Sequence, residues 1–481
     1  MQFHLFSLAL PGMLLLAQHS SAQDNQYWTQ QQGARATLMG GAATASSDDQ
    51  STFFYNPAGT RHVKSAGITA SGSFVYQQWY KVKDMQGLGF TASDQQADVA
   101  PRLLAGSFDP ERGGRWRISF GYVSDLYSRF EVDQAASYRL ERDAAEPGTE
   151  LTTSLLNIIT TSRHDLVGLG ACYSLGPKSS VGLSLFGTSF TQRYLRTVDL
   201  GRYGDPALND TVPTLAGYIS TERGDIYNFG FLAKLGYLHS SERTKWGFAL
   251  TLPRLSTAFF TGTMYRASTT TRPDGSVEKH LLSGEELATR FNTPLMLDAG
   301  VETHLGTAVW ALRVGYCTGV AAYDRMILHA KEDLTLGALP PADGTLRRVR
   351  SASIPIVNVA MGAQFRLSNV ADLLAGVRTD FNHLDRSVLD PATDIAGTFS
   401  YWDLYHLSCG VALHSERVKL TTGLVYSVGR DTGTPEDFRL AGDFLSAAGD
   451  VPFRTTYNQL GLTFGFSYFV LGNSEPAPQT P

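Results

Sequence analysis

Residues 460–470 read LGLTFGFSYFV, and apart from Phe469 they alternate between two kinds of side chain. The apolar set consists of Leu460, Leu462, Phe464, Phe466, Tyr468 and Val470. The small or polar set consists of Gly461, Thr463, Gly465 and Ser467. Because successive side chains of a β-strand point to opposite faces of the sheet, this stretch predicts a strand with one fully apolar face.

The same alternation recurs along the chain, in fourteen strand-like runs from about residue 65 to the C-terminal region. Short and long connections alternate between the runs. The short ones lie at 109–114, 175–178, 240–243, 305–307, 367–369 and 414–417. The long polar ones lie near 81–98, 136–154, 199–223, 263–288, 326–349, 385–398 and 431–454. Short turns at one end and long loops at the other are typical of bacterial outer-membrane barrels.

A soluble β-sandwich is the alternative, because alternation by itself fits both folds. Most runs exceed the ~5–6 residues of an average globular strand, and aromatic residues gather at the ends of the apolar faces. A sheet can cross lipid only when it closes into a barrel, since every backbone group must then find a partner within the sheet. We therefore predict an all-β fold, a fourteen-stranded antiparallel transmembrane β-barrel in the bacterial outer membrane, surrounded by outer-membrane lipid.

The N-terminus has the pattern of an export signal. An apolar stretch over 5–17 precedes Ser20-Ser21-Ala22, a small-x-small cleavage site. We predict a signal peptide over 1–22, an N-terminal hatch (plug) over 23–62, a barrel over 63–470 and a C-terminal tail over 471–481.

Composition and motifs narrow the function classes. The formal net charge of −5 does not indicate a nucleic-acid partner. Cys172, Cys317 and Cys409 are far apart, so neither a metal site nor a disulfide framework is predicted, and no cofactor is implied. The chain lacks Gly-x-Ser-x-Gly, phosphate-loop and His-Glu-x-x-His motifs. We therefore expect no enzyme activity.

A barrel of this width is not filled by its own wall side chains, so its lumen is either open or plugged. The small-residue stretch 33–45 could form a short helix, and Asp48 is a plausible N-cap for a second run that extends to Tyr55. Pro57 cannot continue that helix. These features predict a compact plug ahead of the first strand.

The stretch GARATLMGGAATASSDDQSTFFYNPAGT, residues 33–60, resembles the N-terminal hatch of the FadL family, outer-membrane transporters of long-chain fatty acids and other hydrophobic compounds. The shared features are the Gly/Ala run 40–45, the acidic pair Asp48 and Asp49, the aromatic residues Phe53, Phe54 and Tyr55, and the turn Asn56, Pro57, Ala58 and Gly59.

The resemblance implies a monomer whose partners are hydrophobic small molecules such as fatty acids or hydrocarbons. It implies that the ligand binds in the barrel and, after the hatch moves, leaves through a lateral gap near a kink in the third strand. Gly113–Gly114 and Gly121 lie in that region of this sequence. A general diffusion porin and a structural or adhesive barrel are the alternative functions.

Several candidate residues have two interpretations each. Asn56 and Pro57 either hold the hatch against the wall or form an ordinary turn. The aromatic residues Phe53, Phe54 and Tyr55 either line the ligand path or pack the plug against the wall. Three arginines of the lumen face, Arg313, Arg366 and Arg378, either bind a carboxylate head group or pair with lumen acids. Those acids are Asp298, Glu302, Asp372 and Asp380.

Overall fold

A computed structural model describes most of the chain. The described residues are 26–63, 66–83, 91–111, 114–141, 149–204, 216–272, 274–328, 348–388, 394–396, 402–433 and 453–470. The expected signal peptide and C-terminal tail lie outside these residues.

The described part of the chain is dominated by β-strands. They are β1 (Gly67–Lys83), β2 (Thr91–Phe108), β3 (Trp116–Glu141), β4 (Thr149–Ser174), β5 (Ser179–Gly204), β6 (Ala216–Ser240), β7 (Thr244–Thr251), β8 (Leu255–Ser256), β9 (Thr261–Thr271), β10 (Val277–Ala288), β11 (Met296–Leu305), β12 (Ala308–Cys317), β13 (Val320–Asp324), β14 (Arg348–Ser353), β15 (Ile356–Arg366), β16 (Ala371–Asp380), β17 (Asp394–Ala396), β18 (Asp403–His414), β19 (Val418–Gly433) and β20 (Phe453–Phe469).

These strands form the predicted closed antiparallel barrel of fourteen wall strands. β20 closes the wall by pairing with β1, from Gly67 opposite Phe469 to Lys83 opposite Arg454. The seventh wall strand consists of β7, β8 and β9, and the eighth consists of β10 and β11. β13, β14 and β17 form a separate small sheet.

The two faces of the wall confirm a membrane barrel. In β20, Leu462 and Phe466 point outward and are 37% and 38% exposed, whereas Thr463 and Ser467 point into the lumen and are each 5% exposed. This is the reverse of a soluble protein, where apolar side chains fill the interior. An apolar outer face and a polar inner face are the arrangement of a lipid-embedded barrel.

The short turns lie where the sequence predicts them, but several long connections are strand rather than loop. Segment 263–288 is mostly the β9–β10 hairpin, and β3 to β6 each have 25 or 26 residues. Above the lipid both faces of a strand can be polar, so the apolar alternation that marks a membrane strand is lost. The prediction of loops there is wrong for that reason.

The N-terminal residues 26–63 lie inside the barrel and form the hatch. The hatch contains helix α1 (Ala34–Leu38), helix α2 (Thr52–Tyr55) and a 3₁₀ helix (Pro57–His62). α2 is shorter than predicted and begins after Ser51, so Asp48 is not its N-cap. The Asp49 carboxylate instead accepts the Ser51 N–H (2.9 Å), which turns the chain before the helix.

No helix among the described residues is long and apolar enough to cross a bilayer. The same residues contain no group of three or more His, Cys, Asp and Glu side chains placed to hold a metal ion.

Candidate functional site

The hatch is fixed to the wall by the buried side chain of Asn56. Its Nδ2 donates to the carbonyls of Thr44 (2.8 Å) and Tyr237 (3.0 Å), and its Oδ1 accepts the N–H of Ala58 (3.2 Å). Thr44 and Ala58 belong to the hatch, and Tyr237 belongs to β6. One amide therefore joins two hatch segments to the wall.

Glycines allow the hatch to approach the wall this closely. A Cβ at Gly236, on β6, would lie 2.1 Å from Oδ1 of Asn56. On the other side of the lumen, Gly40 has a positive φ of 68°, and a Cβ there would lie 2.6 Å from the Val377 carbonyl. Any larger residue at either position would push the hatch and the wall apart.

A network of charges holds the hatch at the periplasmic end of the lumen, the end with the short turns. Arg35 of α1 donates to Glu302 of β11 (3.2 Å), which also accepts from Lys245 of β7 (2.9 Å). Asp48 pairs with Lys419 of β19 and lies 3.6 Å from Arg35. Burial alone would raise the pKa of Asp48, but Lys419 and Arg35 outweigh it and hold that pKa well below its usual range. The acidic pair of the hatch is thus partly an anchor.

A second set of contacts holds residues 26–32 higher in the lumen. The Asp380 carboxylate accepts from the Trp28 N–H (3.0 Å) and from the Thr29 hydroxyl (2.7 Å). Arg378 donates to the Thr29 carbonyl (2.9 Å), and Gln26 donates to the Trp402 carbonyl (2.6 Å). Residues 26–32 lie within the predicted hatch, but no motif in the sequence indicates which wall residues they contact.

A cavity of about 90 Å³ lies between residues 26–32 and the wall, and we call it the lumen pocket. The hatch contributes Trp28, Gln30, Phe54 and Tyr55 to its lining. The wall contributes Asp125, Leu126, His164, Leu232, Lys234, Phe291, Asp298 and Arg313, and the segments above it contribute Tyr323, Arg325 and His383, among others. Aromatic rings and a few charged groups therefore surround the same space.

Of the described charged side chains around the lumen pocket, Arg313 has an ion-pair partner and Lys234 does not. Arg313 pairs with Asp298 (2.7 Å) and lies over the Trp28 ring, 3.9 Å from its centre. Lys234 is 8% exposed, and its Nζ lies 3.6 Å from the centre of the Phe54 ring. Within the described part of the chain, Lys234 has no hydrogen bond or ion pair. It is therefore available to an anionic group in the pocket.

The wall beside the lumen pocket is parted. β2 and β3 pair only from Leu103 opposite Val123 to Phe108 opposite Ile118, although both strands continue well beyond this seam. β3 has a bulge at Asp125, where its register against β4 shifts. Bulges bend the strand that carries them, which separates β3 from β2. We call this opening the wall gap, and it begins just past the predicted region around Gly121.

A second discontinuity lies between the two halves of wall strands seven and eight. The buried Arg254 spans it, donating to Thr188 Oγ1 (2.5 Å), Asn228 Oδ1 (2.6 Å) and the Phe291 carbonyl (2.8 Å). Ser256 Oγ accepts a further bond (3.0 Å). A guanidinium with five donors can replace several missing strand-to-strand bonds at one point.

The other candidate residues lie in different places. Phe53 is fully buried against Phe186 of β5, with ring centres 5.0 Å apart, and does not line the lumen pocket. Arg366 is exposed at the periplasmic end of β15, away from the pocket. Arg378 contacts the hatch. Of the three arginines considered for a head group, only Arg313 lines the pocket.

The turn around Pro57 sits against β4 and β5. The Ala58 carbonyl accepts from the Ser180 hydroxyl (2.8 Å) and from Cys172 Sγ (3.3 Å). A Cβ at Gly182 would lie 2.5 Å from the Pro57 carbonyl carbon. The Asn-Pro-Ala-Gly turn therefore packs directly on the wall.

The structure of this chain resembles solved structures of other proteins, although the sequence identity to them is low. No family model matches the sequence, and no curated protein matches it significantly. The Pseudomonas putida toluene transporter TodX superposes with a TM-score of 0.55 at 15% identity, covering 92% of this chain and 99% of that one.

A Pseudomonas aeruginosa FadL homologue superposes with a TM-score of 0.52 at 12% identity, over 92% of this chain and 99% of that one. Likeness at this level of identity shows the fold alone, and the expected lack of enzyme activity stays a prediction. The chain therefore has the fold of the FadL-type transporters, a fourteen-stranded outer-membrane barrel with an N-terminal hatch in its lumen.

Proposed function

We propose that this protein takes up hydrophobic compounds, such as long-chain fatty acids, across the outer membrane as a monomer. The ligand binds in the lumen pocket and leaves through the wall gap into the bilayer. The observation that supports this most is the position of the pocket directly behind the gap, since Asp125 and Leu126 border both. A general diffusion porin is less well supported, because the hatch lies across the lumen.

The proposal requires the hatch to move. An apolar cavity of about 150 Å³ holds one benzene molecule, whereas the lumen pocket has about 90 Å³. Residues 26–32 fill the adjoining space, where hydrogen bonds to Asp380 and Arg378 hold them and Trp28 packs in a buried apolar cluster with Leu38 and Met39. Displacing them would enlarge the pocket.

The unpaired Lys234 supports ligands that carry an anionic group on an apolar body. A carboxylate next to Nζ would gain a charge-assisted hydrogen bond, while the aromatic rings of Phe54 and Phe291 would contact the apolar part. One structural neighbour is named as a toluene transporter, and toluene belongs to the same broad class of hydrophobic compounds.

The uptake proposal can be tested with the purified full-length protein and with cells that express it in a host lacking its own hydrophobic channel. We expect saturable binding of oleate or toluene, faster uptake of the bound compound, and small ion currents in planar bilayers. Steady large currents without binding would replace the proposal with a general diffusion porin.

Lateral exit can be tested by removing the bulge. Deleting Asp125 leaves Ser124 opposite Asp165 and brings Leu126 to His164 without a register shift, so β3 can continue its pairing with β2. We expect ligand binding to remain and uptake to fall to the background of cells without the protein. The matched variant Asp125→Ala keeps the bulge and should retain uptake. Normal uptake in the deletion variant would rule out exit through the wall gap.

The role of Lys234 predicts a difference between ligands. Hydrogen bonds to charged groups contribute ~1.5–3 kcal/mol, so Lys234→Met should weaken oleate binding roughly tenfold to a hundredfold. Toluene has no anionic group, and its binding should change little. Equal losses for both compounds would mean that Lys234 shapes the pocket rather than binding a head group.

A further inference from the structure

The wall gap leaves two strand edges without their neighbour. In a regular sheet the β3 carbonyls of Ser124 and Tyr127 would face the next strand, but the β2–β3 seam ends at Leu103 and Val123. Unpaired backbone groups at the depth of a bilayer are costly, because lipid offers them no hydrogen bond. Something else must satisfy these carbonyls.

Glutamine side chains of the hatch occupy that place. Gln32 Nε2 donates to the Ser124 carbonyl (2.8 Å), and Gln30 Nε2 donates to the Tyr127 carbonyl. Gln30 Oε1 accepts in turn from Arg102, which is on β2 at the other side of the gap. The Gln30 amide therefore bonds to both edges at once, while Gln32 bonds to one.

We propose that Gln30 is a latch across the wall gap, holding the β2 and β3 edges together until residues 26–32 are displaced. The inference rests on the proposed function, because it identifies what controls the lateral exit. Gln30 also lines the lumen pocket, so a ligand bound there lies close enough to displace it. Ligand binding and opening of the gap would then be one event.

The latch explains why the hatch reaches so far into the barrel. Asn56 and the charge network already hold the hatch at the periplasmic end. Residues 26–32 add contacts at the level of the wall gap, where Tyr55 supports them by accepting the Gln32 N–H (2.7 Å) and donating to Gln31 (3.0 Å). These contacts are separate from those that Asn56 and the charge network make at the periplasmic end.

The experiment measures the width of the gap directly. Spin labels are placed on the outward-facing gap edges, at Pro101→Cys on β2 and Arg129→Cys on β3, in full-length protein in lipid nanodiscs. The background carries Cys409→Ser, because Cys409 is exposed whereas Cys172 and Cys317 are buried. The distance between labels is recorded by pulsed electron paramagnetic resonance, with and without oleate or toluene.

We expect Gln30→Ala to lengthen the distance between labels by about one strand spacing, ~5 Å, and to raise the uptake rate several-fold. The matched variant Gln50→Ala, a buried hatch glutamine away from the gap, should leave both unchanged. Heat-modifiable gel migration confirms that each variant is folded. Added ligand should lengthen the distance in the unsubstituted hatch and have little further effect in Gln30→Ala.

The outcomes separate this inference from the proposed function. If the parent protein takes up oleate or toluene but Gln30→Ala changes neither the distance nor the rate, the latch is wrong and the uptake proposal remains. If Gln30→Ala widens the gap but neither compound binds to the parent protein, the latch is supported and the uptake proposal is overturned.

Discussion

Replacing Asn56 by alanine tests whether one buried amide docks the hatch. The change removes three hydrogen bonds, to Thr44, Tyr237 and Ala58, from a side chain that is fully buried. Each contributes ~1 kcal/mol net, so docking should weaken by about 3 kcal/mol. Because every 1.4 kcal/mol is tenfold, the undocked population should rise roughly a hundredfold.

Hydrogen exchange followed by mass spectrometry reports this population, since amides that exchange by local opening follow its free energy. Peptides that contain residues 57–60 should lose about two decades of protection in Asn56→Ala. Peptides from β12 and β16, on the opposite side of the wall, should exchange as in the parent protein. The barrel should still migrate as a folded band before heating.

A matched variant shows whether the loss is specific. Asn382 is also buried, and its Oδ1 accepts the Leu384 N–H (2.9 Å) outside the hatch. Asn382→Ala should leave the exchange of residues 57–60 unchanged. Protection within threefold of the parent protein in Asn56→Ala would refute the reasoning, because it would mean that apolar packing alone docks the hatch.

Two further perturbations follow from other contacts. Arg254→Ala removes the side chain that spans the break in wall strands seven and eight, and it should lower the temperature of heat modification and raise the ion leak. Arg254→Lys should restore little of the parent's heat stability or low ion leak, since one ammonium cannot reproduce the guanidinium fork. Full restoration of both by lysine would refute a bridging role. Burial, with nearby Lys245 and Arg61, lowers the pKa of His62 to about 4 from its ordinary 6.5. The docking contact of His62 with Ser180 should therefore be complete above pH about 6.5 and weaken as the pH falls toward about 4. Channel openings should become more frequent at pH about 5 in the parent protein but not in His62→Gln. The same opening frequency at pH about 5 in both proteins would contradict this.

The wall of the barrel could be predicted from sequence because lipid imposes a simple rule on it. Outward positions such as Leu462 and Phe466 must be apolar, and a strand repeats that requirement every second residue. No comparable rule applies above the bilayer, where the β9–β10 hairpin has no apolar face that faces lipid. The hatch helices lie within the stretches predicted for them, 33–45 and the run to Tyr55, but α1 and α2 are too short to show a helical period that would give their bounds.

The contacts at the two interruptions of the wall could not be predicted from the sequence, for a different reason. Gln30 and Arg102 are 72 positions apart, and their pairing depends on where β3 bends. Arg254 has no local pattern that marks it as a bridge between broken strands. Polar side chains act at these points because a backbone partner is missing, and only the three-dimensional register shows which partner that is.

The two interruptions of the wall have one feature in common that bears on mechanism. Both border the lumen pocket, the wall gap at Asp125 and Leu126 and the second break at Phe291. At the second break Arg254 is part of the wall itself, and six hydrogen bonds keep it in place. At the wall gap the bridging group, Gln30, belongs to the hatch and can leave with it. Under the proposed function, the pocket has one permanent seal and one removable seal, and this difference would give a ligand a single direction of exit.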